Sequence, residues 1–155
     1  MRVTLAASAL MLVLAAPVWG ADEQEWGFVE SGKDVRMFYG VPDSGNLTIA
    51  FICEAKPKRI VIVSTVLPPR PKKGQSVRTT LSNGAVSAAY GGKLGYSASE
   101  GFYVEAPTAA DPKVVAILKS GTSLTISIPG KQERVPLRGV ADPLAQFETA
   151  CFRGR

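Results

Sequence analysis

Two cysteines constrain this chain more than any other feature. Cys53 and Cys151 are the only ones it has, and their settings differ. Leu47, Ile49, Phe51 and Cys53 alternate, so in a strand Cys53 shares one apolar face with them. Leu144, Phe147 and Cys151 lie three and four apart, so in a helix Cys151 shares an apolar stripe. Packing that stripe onto that face brings the sulfurs together. A disulfide here closes a loop of about a hundred residues, worth roughly 4–5 kcal/mol by chain entropy. The competing reading is a redox or nucleophilic thiol. It has no Cys-x-x-Cys to support it and no histidine in the chain to activate a thiolate.

A disulfide needs an oxidising compartment, and the N-terminus points to one. Residues 1–20 read as a secretory signal peptide. Arg2 is the positive n-region, Leu5 to Val18 the apolar core, and Val18-Trp19-Gly20 a small-residue cleavage site before Ala21. The apolar run is too short to span a bilayer, and no later run reaches about eighteen residues. No membrane segment is expected after cleavage. No cysteine follows the cleavage site closely, so a lipoprotein anchor is not expected. Residues 21–155 then form one exported domain. The periplasm is the expected location, with secretion as the other destination of the same signal.

The remaining pattern is strand-rich. Runs at Val35–Val41, Leu47–Cys53, Arg59–Leu67, Val77–Leu81, Ala85–Tyr90, Gly101–Ala106, Leu124–Ile128 and Glu133–Leu137 read as strands, and Trp26–Val29 starts another. Asn83-Gly84 reads as a two-residue hairpin turn with both residues at positive φ. Gly91-Gly92 reads as a strand end. Asp111-Pro112 and Asp142-Pro143 each open a helix, with Asp as the cap. The fold class is α+β, mainly β: an antiparallel sheet or sandwich packed by a C-terminal helix tied through the disulfide.

Chemistry is sparse. Without histidine, Ser-His-Asp and Cys-His mechanisms are excluded, as is the commonest metal ligand. No cofactor or metal is expected. Gly27 to Lys33 matches part of a phosphate-binding loop, but Asp34 stands where Ser or Thr should hold magnesium. Ser97 follows a glycine without completing a nucleophile elbow. Glu100 and Glu105 have an odd spacing, which puts them on opposite faces of a strand. A His-free hydrolase would draw on Lys93, Ser97 and Glu100. Trp26, Phe28, Tyr90, Tyr96, Phe102 and Tyr103 read as core or cross-strand partners rather than a binding face.

Basic residues outnumber acidic ones, 18 to 13. They are scattered, which argues against nucleic acid as a partner. One local concentration stands out: Arg70, Lys72 and Lys73 in the loop Pro68 to Gly74. Three prolines stiffen it. It reads either as a solvated loop or as a cationic finger for an acidic partner.

Two segments carry a resemblance. One is Leu47-Thr48-Ile49-Ala50-Phe51-Ile52-Cys53. The other is Val135-Pro136-Leu137-Arg138-Gly139 with Phe147-Glu148-Thr149-Ala150-Cys151. A strand ending in Cys and a late helix carrying Ala-Cys resemble small exported proteins of alphaproteobacteria. The layout is similar to type VI secretion-associated VasI proteins and, more distantly, invasion-associated locus B proteins. The resemblance implies a periplasmic accessory or binding domain. A non-enzymatic module recognising an envelope protein or cell-wall component is the leading expectation. An inhibitor of an envelope-directed hydrolase and the His-free hydrolase are the alternatives.

Overall fold

A computed structural model describes residues 23–56 and 58–153. The signal-peptide reading of residues 1–20 lies outside them. The elements run β1 (Glu25–Ser31), β2 (Asp34–Gly40), β3 (Leu47–Ala55), β4 (Lys58–Ser64), β5 (Ser76–Ser82), β6 (Ser87–Ser97), β7 (Gly101–Ala109), α1 (Pro112–Lys119), β8 (Ser123–Ile128), β9 (Lys131–Pro136) and α2 (Ala141–Glu148). A π-helical turn, Thr149–Arg153, follows.

All nine strands join one sheet, in the order β1-β2-β3-β4-β7-β6-β5-β8-β9. Every neighbouring pair is antiparallel. The alternation seen in the sequence fixes the register, since a slip of one residue would turn each apolar row outward. Met37, Phe51, Ile62 and Ala106 form one such row across β2, β3, β4 and β7, each all but excluded from solvent. The architecture is therefore a single curled sheet and not a two-sheet sandwich. Its first and last strands approach each other: the Trp26 indole N–H donates to the Pro136 carbonyl at 2.7 Å.

The two helices complete the core against the inward rows. α1 presents Val114, Val115, Ile117 and Leu118, and α2 presents Leu144 and Phe147; all belong to the same buried cluster as the strand residues. Burying a side chain of this size stabilises the fold by about 1.5–3 kcal/mol. Asp111 caps α1 as expected, its carboxylate accepting from the Lys113 N–H at 2.9 Å. Lys119 donates to Glu148 at 2.8 Å and links the helices. That hydrogen bond holds the Glu148 carboxyl below its ordinary value, against a smaller opposing effect of desolvation.

Cys53 and Cys151 form the disulfide, with Cα atoms 5.8 Å apart. Cys53 is on the inward face of β3, opposite Val35 and Ile60. Cys151 is in the π-helical turn. The turn begins at Thr149, whose hydroxyl donates to the Ala145 carbonyl at 2.9 Å. A hydroxyl that binds its own helix in this way tends to bend it.

Three local expectations are corrected. Asp142 is not the cap of α2. The helix starts at Ala141 behind Val140, with no side-chain cap, and Asp142 instead complements the positive end of the helix dipole from the first turn. Gly91-Gly92 does not end a strand, because β6 runs through both to Ser97. Asn83-Gly84 does form part of a hairpin loop, but only Gly84 has positive φ. Asn83 acts through its side chain. Its Oδ1 accepts from the Ala85 and Val86 N–H groups at 3.0 and 2.7 Å. Its Nδ2 donates to the Ile117 and Ser120 carbonyls, both at 3.0 Å. One amide therefore builds the loop and satisfies the end of α1.

Replacing both cysteines with alanine should lower stability by about 3–5 kcal/mol, read as a lower urea midpoint; an unchanged midpoint would show that the crosslink adds nothing. Asn83→Ala leaves two helix-end carbonyls and two loop amides without partners and should cost about 1–3 kcal/mol in the same assay. Asn83→Asp should recover only the loop half of that loss.

Candidate functional site

The sheet splits along one seam. β6 and β7 pair only over Lys93–Ser97 and Gly101–Glu105. Beyond Glu105, β7 continues beside β4 from Ala106 to Ala109. Before Lys93, β6 stays with β5. Gly92 permits a last close approach before the strands part: a Cβ there would lie 2.6 Å from the Glu105 carbonyl oxygen and 2.9 Å from Ala106 Cβ. Gly91, one residue earlier, has open space where its side chain would be.

A groove of about 840 Å³ lies over the divergence, lined among others by Lys73, Ser76, Arg78, Gly91, Lys93 and Glu105. The register explains the grouping. Ser76, Lys93 and Glu105 are direct cross-strand neighbours on the outward face, and Arg78 is level with Gly91. Three cations thus meet one carboxylate. The ion pairs among the described residues include Arg59–Glu54, Lys119–Glu148, Arg138–Glu23 and Arg153–Glu148. Lys73, Arg78 and Lys93 take part in none of them.

The Pro-rich loop delivers Lys73 to this groove. Pro69 packs toward the β8–β9 turn, within contact range of where a Gly130 side chain would begin. Further along, the Gly74 N–H donates to the Leu94 carbonyl at 2.8 Å, and the Leu94 N–H donates to the Gln75 carbonyl at 2.9 Å. Gln75 also closes a turn on Lys72. Arg70 and Lys72 are exposed on the same loop but do not line the groove. Arg78 and Lys93 carry no sequence motif. Only the β5–β6 register reveals that they join Lys73.

Below the groove the site is anchored. Tyr90, on the inward face of β6, donates its hydroxyl to Asp111 at 3.0 Å, which fastens the start of α1 to β6 beside the split. Burial first, and the Asp111 carboxylate second, raise the Tyr90 phenol well above its ordinary value. Tyr103 covers the outward face next door, its ring filling the space over Gly95.

The other sequence candidates are not brought together. Ser97 hydrogen-bonds Ser99 at 2.9 Å. Lys93 lies four residues back along β6, about 13 Å away at ~3.3 Å per residue. Glu100 is in the hairpin turn. Gly27 to Lys33 forms the β1–β2 hairpin and precedes no helix, so it lacks the helix N-terminus that a phosphate loop needs. Trp26 and Tyr90 are buried, and Tyr96 packs edge-on against its cross-strand partner Phe102. A second hollow, about 600 Å³, lies against Val29, Arg36, Phe38, Ile52 and Glu54, and with Asp34 and Asp43 also in its lining it is acidic, the opposite sign to the groove. In comparisons with known proteins, no family model matches the chain, and neither a curated protein nor a solved structure is significantly similar to it.

The Tyr90–Asp111 clasp gives a pH prediction. A phenol whose value is raised by folding contributes stability that is complete below its unfolded value near 10. That contribution is lost as pH rises toward the folded value. Between about pH 9 and about pH 11 the wild-type chain should therefore lose more stability than Tyr90→Phe, measured by urea unfolding. Parallel declines would show that Tyr90 ionises as freely folded as unfolded.

Proposed function

We propose that this chain is an exported, disulfide-tied binding module of the bacterial envelope, and that its groove takes an anionic partner. The observation that supports the reading is the groove over the β6–β7 divergence, where Lys73, Arg78 and Lys93 lie together without an ion partner among the described residues. Unpaired cations beside a concave surface steer and hold negative groups. Lys73 belongs to the proline-stiffened loop, so holding it in place costs little conformational entropy. Arg70 and Lys72 extend the positive field beyond the groove and favour encounter more than residence. The internal Cys53–Cys151 bond agrees with an oxidising compartment, and the periplasm is the proposed location. An envelope protein with an acidic segment fits the groove better than a small molecule, because the site is broad and shallow and lacks a convergent set of buried polar groups.

Crosslinking in intact cells, followed by affinity capture, tests this reading. The triple variant Lys73→Glu, Arg78→Glu, Lys93→Glu should lose the captured partner while keeping its melting temperature within a few degrees. Reversal at Arg70 and Lys72 alone should weaken capture less and mainly at low salt. Equal capture by wild type and triple variant would remove the groove from consideration.

A further inference from the structure

A strand edge reaches the groove at Gly91 and runs back along β6 from it. Leu94 exchanges its backbone bonds with Gly74 and Gln75, on the β5 side of β6. Backbone groups alternate along an antiparallel strand, so Gly92, Tyr90 and Ala88 face β5 in the same way. Ser87, Ala89 and Gly91 direct their N–H and C=O groups toward β7. At these residues β7 has left, for its pairing with β6 stops at Lys93. Among the described residues, no other backbone group bonds there. This is an unpaired edge inside a sheet.

Exposed edges are normally blunted, and others in this sheet are. β9 carries Lys131, Glu133 and Arg134 along its length. β7 presents Pro107, which has no N–H to offer. The β6 edge reads Ser87-Ala88-Ala89-Tyr90-Gly91, with no charge and no proline. Its outward positions are small. Arg78 is level with Gly91, and Thr80 with Ala89, so nothing in the Gly91 row separates the Arg78 side chain from a strand laid along the edge.

We propose that an extended acidic segment of a partner protein adds to β6 as a strand along Ser87–Gly91. Its backbone pairs with Ser87, Ala89 and Gly91. Its outward carboxylates meet Arg78, Lys93 and Lys73. The backbone bonds supply affinity and the alternate side chains supply specificity, which is the logic of β-strand addition. This deepens the anionic-partner reading and rests on it.

The test uses fluorescence anisotropy with a labelled peptide of alternating Thr and Glu, about eight residues long. Two further peptides carry N-methyl groups, one on every Glu and the other on every Thr. N-methylation removes amide donors from one edge of the peptide only, so strand addition should weaken binding by about tenfold or more for one peptide and far less for the other. Ala89→Pro removes a donor aimed at the split without breaking a β5 bond, and should weaken the parent peptide by a similar factor with the circular dichroism unchanged. Arg78→Glu should weaken all three peptides. If both methylated peptides and Ala89→Pro bind like the parent while Arg78→Glu does not, strand addition is overturned and the charged groove stands. If Arg78→Glu also binds normally, or no peptide binds at all, the proposal fails; capture by the triple charge variant then decides the groove reading separately.

Discussion

A single curled sheet has one concave face, and something other than a second sheet must fill it. That demand organises this molecule. Each strand contributes inward residues at every second position, and the volume they enclose is closed by two short helices whose apolar stripes face the same space. Neither helix would be stable alone at eight residues. Both are held by what they cover, and by specific ties: Asn83 at the end of α1, Tyr90 on Asp111 at its start, and the disulfide after α2. The Trp26–Pro136 bond brings the sheet's outer strands together over the same core.

The outward face follows different rules. Where one strand lacks bulk, an aromatic ring from the neighbouring strand covers the gap, as Phe38 does over Gly27 and Tyr103 over Gly95. Where β6 and β7 diverge, no ring does so, and cations from β5, β6 and the Pro-rich loop border the opening. The contrast between a sealed inner face and one open seam is what makes the seam a functional candidate.

Much of the fold was legible in the sequence. The alternation at Leu47–Cys53 and the three–four spacing at Leu144–Cys151 were enough to pair the cysteines. The Asp-Pro start marked α1 correctly because cap and N1 chemistry are local. The same dipeptide misled at Asp142, where Val140 takes the cap position and the helix is ordered by core packing. Gly91-Gly92 looked like a strand end because glycine lacks intrinsic strand preference; pairing with Arg78 and Val77 overrides it. The groove was legible only through Lys73. Arg78 and Lys93 join it through the register of β5 on β6 and the departure of β7, and no local pattern encodes either.

The disulfide also sets an order of events. β7 must find β4 across the intervening β5–β6 hairpin, and β5 must wait for β8. Such distant pairings are slow to form. Cys151 follows all nine strands in sequence, while its partner lies in the third. The thiols meet in native geometry once α2 and the turn after it have packed on β1, β2 and β3. Oxidation therefore records the docking of the chain's C-terminal helix on its first strands and locks it in, so reductant added to the native protein and reductant present during folding act on different steps.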